Sequence, residues 1–237
     1  MLSIKQLSVI SSSCDASLLH PISFTVQRGE IVGVIGESGS GKSILAHALL
    51  GQVPAGFCRH GEVNATGTLA LSAQSAAVFD PLKTVGQHLA RWRADFAYAL
   101  WGAHVLREAH ANRNSDIAES YRHQLSGGMA KRACLAQAQV QSPAFIVADE
   151  PCAGLDEAQA ETMYRQLRET VRTEHQGMVI ISHNLRQLLR WADRIVVLRD
   201  GRLVDVTTPS AMMDGHCHAY SQALWQALPE NWGHPLC

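Results

Sequence analysis

Cysteine is present but never paired. Cys14, Cys58, Cys134, Cys152, Cys217 and Cys237 contain no Cys-x-x-Cys among them, so neither a disulfide framework nor a cysteine zinc site is expected. A charge excess of either sign is also lacking. With 20 Lys+Arg against 21 Asp+Glu, the formal net charge is -1, and no global basic field draws the chain to nucleic acid or an anionic bilayer. No apolar run approaches the ~20 residues of a spanning helix. Met1 to Val9 lacks a basic segment followed by an apolar signal core, and the chain is read as cytosolic. Aromatic residues make up only 6%, and none precedes Phe24. His216, Cys217 and His218, with His234 and Cys237 further on, read as surface residues near a terminus, because no visible geometry forces them together as ligands.

What is there supports a large α/β domain: 237 residues, 46% of them hydrophobic, can bury a substantial core. Ile4 to Val9 and Ile22 to Val26 read as short strands, and Ile31 to Ile35 as a buried one. A strand over Thr68 to Leu71 follows, then helical spacing of Val85, Leu89 and Trp92 in a segment running to about Ala109. Phe145 to Ala148 has the continuous hydrophobicity of a parallel strand buried on both faces. Ala160, Met163, Tyr164, Leu167 and Val171 mark one face of an amphipathic helix. Strand Met178 to Ile181, helix Asn184 to Trp191, and strands Ile195 to Leu198 and Leu203 to Val206 joined at Asp200-Gly201 complete the alternation. Such alternation predicts right-handed crossovers, a mainly parallel sheet and binding at the strand carboxyl ends.

The sharpest signal is Gly36-Glu37-Ser38-Gly39-Ser40-Gly41-Lys42-Ser43, a full G-x-x-x-x-G-K-S between the strand ending at Ile35 and a helix over Ile44 to Leu50. The glycines permit a tight turn that aims backbone N–H groups at phosphate oxygens. Lys42 is positioned to reach the β/γ-phosphates and Ser43 to ligate Mg²⁺, with the helix dipole behind them.

Leu125-Ser126-Gly127-Gly128-Met129 precedes an Ala/Gln-rich helical stretch, and Asp149-Glu150 follows the buried strand about 20 residues later. In this order, with Gln74, Gly154-Leu155-Asp156 and Ser182-His183, the motifs resemble those of ABC-type ATPase cassettes over nearly the whole chain. The resemblance implies the α/β fold of P-loop NTPases (RecA-like), mainly parallel, with an N-terminal antiparallel β subdomain and an inserted α-helical signature subdomain. It divides the chain into a core at about 1–82 and 141–210, a helical subdomain at about 83–140 and a short tail at about 211–237.

The resemblance also assigns roles. ATP is the substrate and Mg²⁺ the metal, held by Ser43, Asp149 and Gln74. Glu150 is the general base for the attacking water, His183 fixes the γ-phosphate or that water, and Gln74 links the site to the segment touching a membrane subunit. Residues 36–43 bind the phosphates of one subunit. Ser126, Gly127 and Gly128 of a second cassette close over them head to tail, and Asp156 of the aspartate loop is counted with the nucleotide-binding residues.

Within the family, Val53 to Gly56, Asp80 to Gly86, Tyr121 to Gln124 and His218 to Leu224 resemble strings of the oligopeptide, dipeptide and nickel importer group, the nickel or metallophore branch most of all. That implies a peripheral subunit on the cytoplasmic face of the inner or plasma membrane. It would be paired with a distinct paralogue, or otherwise with itself, on two permeases served indirectly by an extracytoplasmic binding protein. A cassette of a soluble non-transport complex is the alternative. The chain departs from the family in having no early aromatic to stack adenine, with His20 a weak substitute. It also has Ala153-Gly154 for Ser-Ala, Asn184 for Asp, and no cysteine-rich tail for an iron–sulfur cluster.

Overall fold

A computed structural model describes residues 1–13, 16–91, 117–140 and 142–231. The continuous apolar runs become its central strands. β1 (Leu2–Ser11) and β2 (Ser17–Val26) lead into β3 (Ile31–Ile35). β4 (Phe57–Ala65) and β5 (Leu69–Ser72) follow, then β6 (Phe145–Asp149), β7 (Gly177–Ile181), β8 (Arg194–Arg199) and β9 (Arg202–Thr207). Every residue of β3, β6 and β7 is buried, as expected of strands packed on both faces.

A six-stranded sheet has the order β5-β6-β7-β3-β8-β9. Its ladders are parallel from β5 to β8, and only β8–β9 is antiparallel, turning at Asp200-Gly201 as expected. The register decides where the chemistry lies. Asp149 sits opposite Ile181, and Ile181 opposite Val34. The segments leaving β3, β6 and β7 therefore emerge side by side at one end of the sheet.

A second, three-stranded antiparallel sheet has the order β2-β1-β4. β4 is not anticipated by the sequence reading. Its residues alternate between half-buried and exposed, with none fully buried, so its period-2 signal is carried by few apolar side chains. β2 begins five residues before the expected Ile22, through Ser17-Leu18-Leu19-His20-Pro21. It is an edge strand of its sheet, where proline is tolerated.

Helices α1 (Lys42–Leu49) and α2 (Val85–Leu89) precede the residues outside the description. After them come α3 (Gly127–Gln139), α4 (Glu157–Thr173), α5 (Leu185–Trp191), α6 (Pro209–Met213) and α7 (Ala219–Gln226). α2 ends at Leu89, and the rest of the expected helical segment, Trp92 to about Ala109, lies outside the described residues. One core lies between the sheets, where Leu7 and Val26 meet Val34, Val147, Val179 and Leu45 of α1. The other lies on the opposite face, where Ile146, Met178 and Ile180 meet the predicted stripe of α4: Met163, Tyr164, Leu167 and Val171. Burial of each such large side chain contributes roughly 1.5–3 kcal/mol. A smaller cluster of Phe79, Val85, Leu89, Ile117 and Ala133 ties α2 to α3. Among the described residues, no helix is long and apolar enough to cross a membrane.

Candidate active site

The loop between β3 and α1 is shaped by contacts that only glycine allows. A Cβ at Gly36 would lie 2.3 Å from the Leu198 carbonyl oxygen and 2.5 Å from Ser40 Oγ. Gly41, the N-cap of α1, has φ 95°, a left-handed conformation that costs other residues energy. Lys42 Nζ donates to the carbonyl oxygens of Gly36 at 2.7 Å and Glu37 at 2.8 Å, and to Ser40 Oγ at 3.4 Å. The ammonium is thus folded over its own loop. Burial lowers its pKa, and the charges of Glu150 and Asp149 oppose that shift.

Asp149 closes β6 and is 4% exposed. Its Oδ1 is buried without a hydrogen-bond partner. Burial first, then the neighbouring Glu150, pushes its pKa up, while the Ser43 hydroxyl pulls the other way. A buried carboxylate oxygen without a donor is costly. A hard divalent cation beside it removes that cost, and the carboxylate and hydroxyl are the oxygen donors Mg²⁺ prefers. Asp149 and Ser43 therefore fit the metal.

Glu150 follows with φ 50°, a left-handed backbone that persists in a non-glycine residue only when its surroundings hold it. Here its N–H donates to the Ile181 carbonyl at 2.9 Å, and its own carbonyl accepts from Lys131 Nζ at 2.7 Å. The side chain is 12% exposed, with Oε1 2.9 Å from His183 Nδ1. Toward an ionised carboxylate, which can only accept, Nδ1 is the donor of this contact. The pair spans 33 residues of sequence; the β6–β7 ladder brings it together. A cavity of about 250 Å³, lined by Glu150, Gly154, Ser182, His183 and Gln187 among others, opens beside it.

Of the other expected site residues, Gln74 is tied to this centre through Lys131, while Ser126, Gly127, Gly128 and Asp156 make the local contacts described next. Gln74 follows β5, and its carbonyl accepts from Lys131 Nζ at 2.7 Å. Ser126 caps α3, its hydroxyl accepting from the Met129 N–H, which leaves the Gly127 and Gly128 amides among the orphan donors of a helix start. Gly128 packs towards Gln159 and Leu155: a Cβ there would lie 3.4 Å from each. Asp156 caps α4, its Oδ1 accepting from the Gln159 N–H at 2.8 Å. That capping contact belongs to its own helix and points to no phosphate.

Lys131 escaped the sequence reading. It stands in an Ala/Gln-rich helix where a cation reads as solvated surface, yet it is half-buried, with its pKa lowered by burial. Its ammonium joins three segments: α3, the Gln74 loop and the backbone of Glu150. Lys131→Met keeps the aliphatic stem and strips both carbonyls of their donor. Hydrogen bonds from a charged group contribute about 1.5–3 kcal/mol. The expected outcome is a kcat for phosphate release lowered about tenfold or more, with a smaller change in nucleotide affinity. Steady-state hydrolysis by the assembled complex checks it; an unaltered kcat removes Lys131 from the site.

Comparison with known proteins follows the same outline. A family model described as "ABC transporter" matches residues 19–153. The metal-staphylopine import system ATP-binding protein CntD of Staphylococcus aureus is 29% identical, the alignment covering 94% of this chain and 92% of that protein. The dipeptide transport ATP-binding protein DppD of Escherichia coli is 29% identical over 88% of this chain and 72% of its own length. Among solved structures, the ATP-binding cassette MJ0796, as a post-hydrolysis dimer bound to ADP and Pi, superposes with a TM-score of 0.70 at 22% identity, covering 88% of this chain and 99% of that one. An ATP binding subunit of an ABC transporter gives 0.74 at 23%, covering 91% and 93%. These structures share the fold.

Proposed function

This chain belongs to the ABC transporter family, and on that premise we propose that it is the ATP-hydrolysing subunit of a membrane importer for metal chelates or peptides. The observation that carries the chemistry is the meeting, at one end of the sheet, of Lys42, the orphaned Asp149 oxygen and the Glu150–His183 pair. The metal chelate is the favoured cargo, because the similarity to the metal-staphylopine subunit runs nearly end to end in both chains.

In this reading the Lys42 ammonium binds the β/γ-phosphate oxygens of ATP, guided by the N–H groups of residues 36–43 and the start of α1. Ser43, Asp149 and Gln74 would hold Mg²⁺, which would neutralise phosphate charge when bound. Glu150 takes the proton of the attacking water, and His183 keeps its carboxylate aimed through the Nδ1 hydrogen bond. The products are ADP and phosphate.

The free amides at the start of α3 complete the site of a second cassette. Ser126, Gly127 and Gly128 of one subunit present an anion-binding helix N-terminus to the γ-phosphate held by the other, with Asp156 and its loop at the seam. ATP then closes the pair and hydrolysis releases it. The chain divides accordingly into the core at about 1–82 and 141–210, the helical arm at about 83–140 and the tail beyond 210. Its partners are a second cassette and two membrane permeases, which it meets at the cytoplasmic face of the membrane.

Transport tests this reading. The complex purified with its permeases and placed in liposomes is expected to move a labelled nickel–metallophore chelate only when ATP is supplied on the cassette side. Uptake of labelled peptides in place of the chelate would reassign the cargo. Purification with soluble proteins alone, and no permease, would overturn the importer assignment.

A further inference from the structure

The tail of the chain reaches the phosphate loop. The Tyr220 hydroxyl on α7 donates to Glu37 Oε1 at 2.8 Å across 183 residues of sequence. Its helix is firmly placed. Asp205 Oδ2 on β9 accepts both the His218 N–H at 2.9 Å and the Ser221 hydroxyl at 2.7 Å, and Ser221 is fully buried. His218 Nδ1 caps the helix by accepting from the Tyr220 N–H at 3.1 Å. From the other side, the Arg199 guanidinium stands 4.8 Å from the centre of the Tyr220 ring, within cation–π range. Burial, followed by the Glu37 carboxylate, pushes the phenol up to about 12, so the hydroxyl stays a neutral donor at physiological pH.

Glu37 is an awkward residue for its place. Its carbonyl accepts from Lys42 Nζ at 2.8 Å and from the Ser40 N–H at 3.1 Å, so its backbone forms the collar that phosphate is to enter. Its side chain brings a negative charge into a loop built for polyanions, where like charges repel. We propose that Tyr220 is a positioning residue for ATP: its hydroxyl holds the Glu37 carboxylate against α7, away from the phosphates. The C-terminal helix thereby sets nucleotide affinity without touching the reacting atoms. This rests on the reading of residues 36–43 as the ATP phosphate site.

The test is a cycle of variants in the assembled complex: wild type, Tyr220→Phe, Glu37→Gln and the double variant, each measured for KM and kcat with ATP. Tyr220→Phe keeps the ring over Arg199 and removes only the hydroxyl. A KM raised about five- to tenfold, with kcat within about twofold, is expected. In the double variant the freed side chain carries no charge, and KM is expected to match that of Glu37→Gln alone, so that loss of the hydroxyl has no further effect once the carboxylate is gone. Two results overturn the inference: a Tyr220→Phe KM equal to wild type, or a double variant weaker than Glu37→Gln by the factor that Tyr220→Phe alone shows, which would make the effect one of packing. If the wild-type complex hydrolyses ATP normally in either case, only this inference falls. If the wild-type complex neither binds nor hydrolyses ATP, the underlying reading of the loop falls instead.

Discussion

Glu150→Gln is expected to lower kcat for ATP hydrolysis at least about a hundredfold, the range of a lost general base, while ATP binding survives. The geometry makes this substitution unusually clean. The amide oxygen can still accept from His183 Nδ1, and the left-handed backbone remains fixed by the Ile181 carbonyl and the Lys131 ammonium. What disappears is the basic carboxylate. Loss of its charge also relieves Asp149, whose pKa is raised in part by Glu150, so the variant is expected to melt no lower than wild type. Activity lost from an intact fold then reports chemistry alone. Hydrolysis within a few-fold of wild type in the assembled complex would remove Glu150 from the role of base and leave His183 without a purpose in the site.

Lys42→Ala carries the second large effect, this time on binding. The ammonium is the only side-chain cation among the hydrogen-bonding groups described in the loop, and it holds two carbonyls together there. Its removal leaves the Gly36 and Glu37 oxygens without that donor and, in the proposed site, would delete a charge-assisted contact to phosphate. Affinity for ATP is expected to fall about a hundredfold, roughly 2.7 kcal/mol. Lys42→Arg is not expected to restore it. The collar closes around a compact point charge, and a planar guanidinium presents its donors in a different geometry. Titration calorimetry with ATP checks both variants; wild-type affinity in Lys42→Ala would contradict the assignment of the loop.

How far the sequence discloses this architecture depends on how local each signal is. β3, β6 and β7 are legible because burial on both faces makes them short, continuous apolar runs. β4 is not, because Phe57-Cys58-Arg59-His60-Gly61 shows solvent one face and carries few apolar residues. The phosphate loop is contiguous and declares itself. Asp149, Glu150 and His183 are picked out by the resemblance and supported by their place at or just past the ends of buried strands, although their meeting depends on β6 and β7 being neighbours in the sheet.

Lys131 and Tyr220 have no comparable local signature. Lys131 finds Gln74 57 residues away, and Tyr220 finds Glu37 only because Asp205 pins the tail helix beside the β8–β9 turn. That same turn reaches the loop through the Gly201 N–H, which donates to the Ser40 carbonyl at 3.2 Å. Early adenine-stacking aromatics are absent from the sequence, and the backbone of His20 is engaged in donating to the Gly201 carbonyl at 2.8 Å.

The central claim is that Gly36 to Ser43 form half of an ATP site whose other half comes from a second cassette. The most direct test is the distance between the two cassettes in the purified Glu150→Gln complex, read by pulsed electron paramagnetic resonance from labels set away from the site. With ATP and Mg²⁺ the distance is expected to shorten and stay short, and with ADP to match the nucleotide-free complex. An ATP-loaded complex whose cassettes remain as far apart as with ADP would contradict the account.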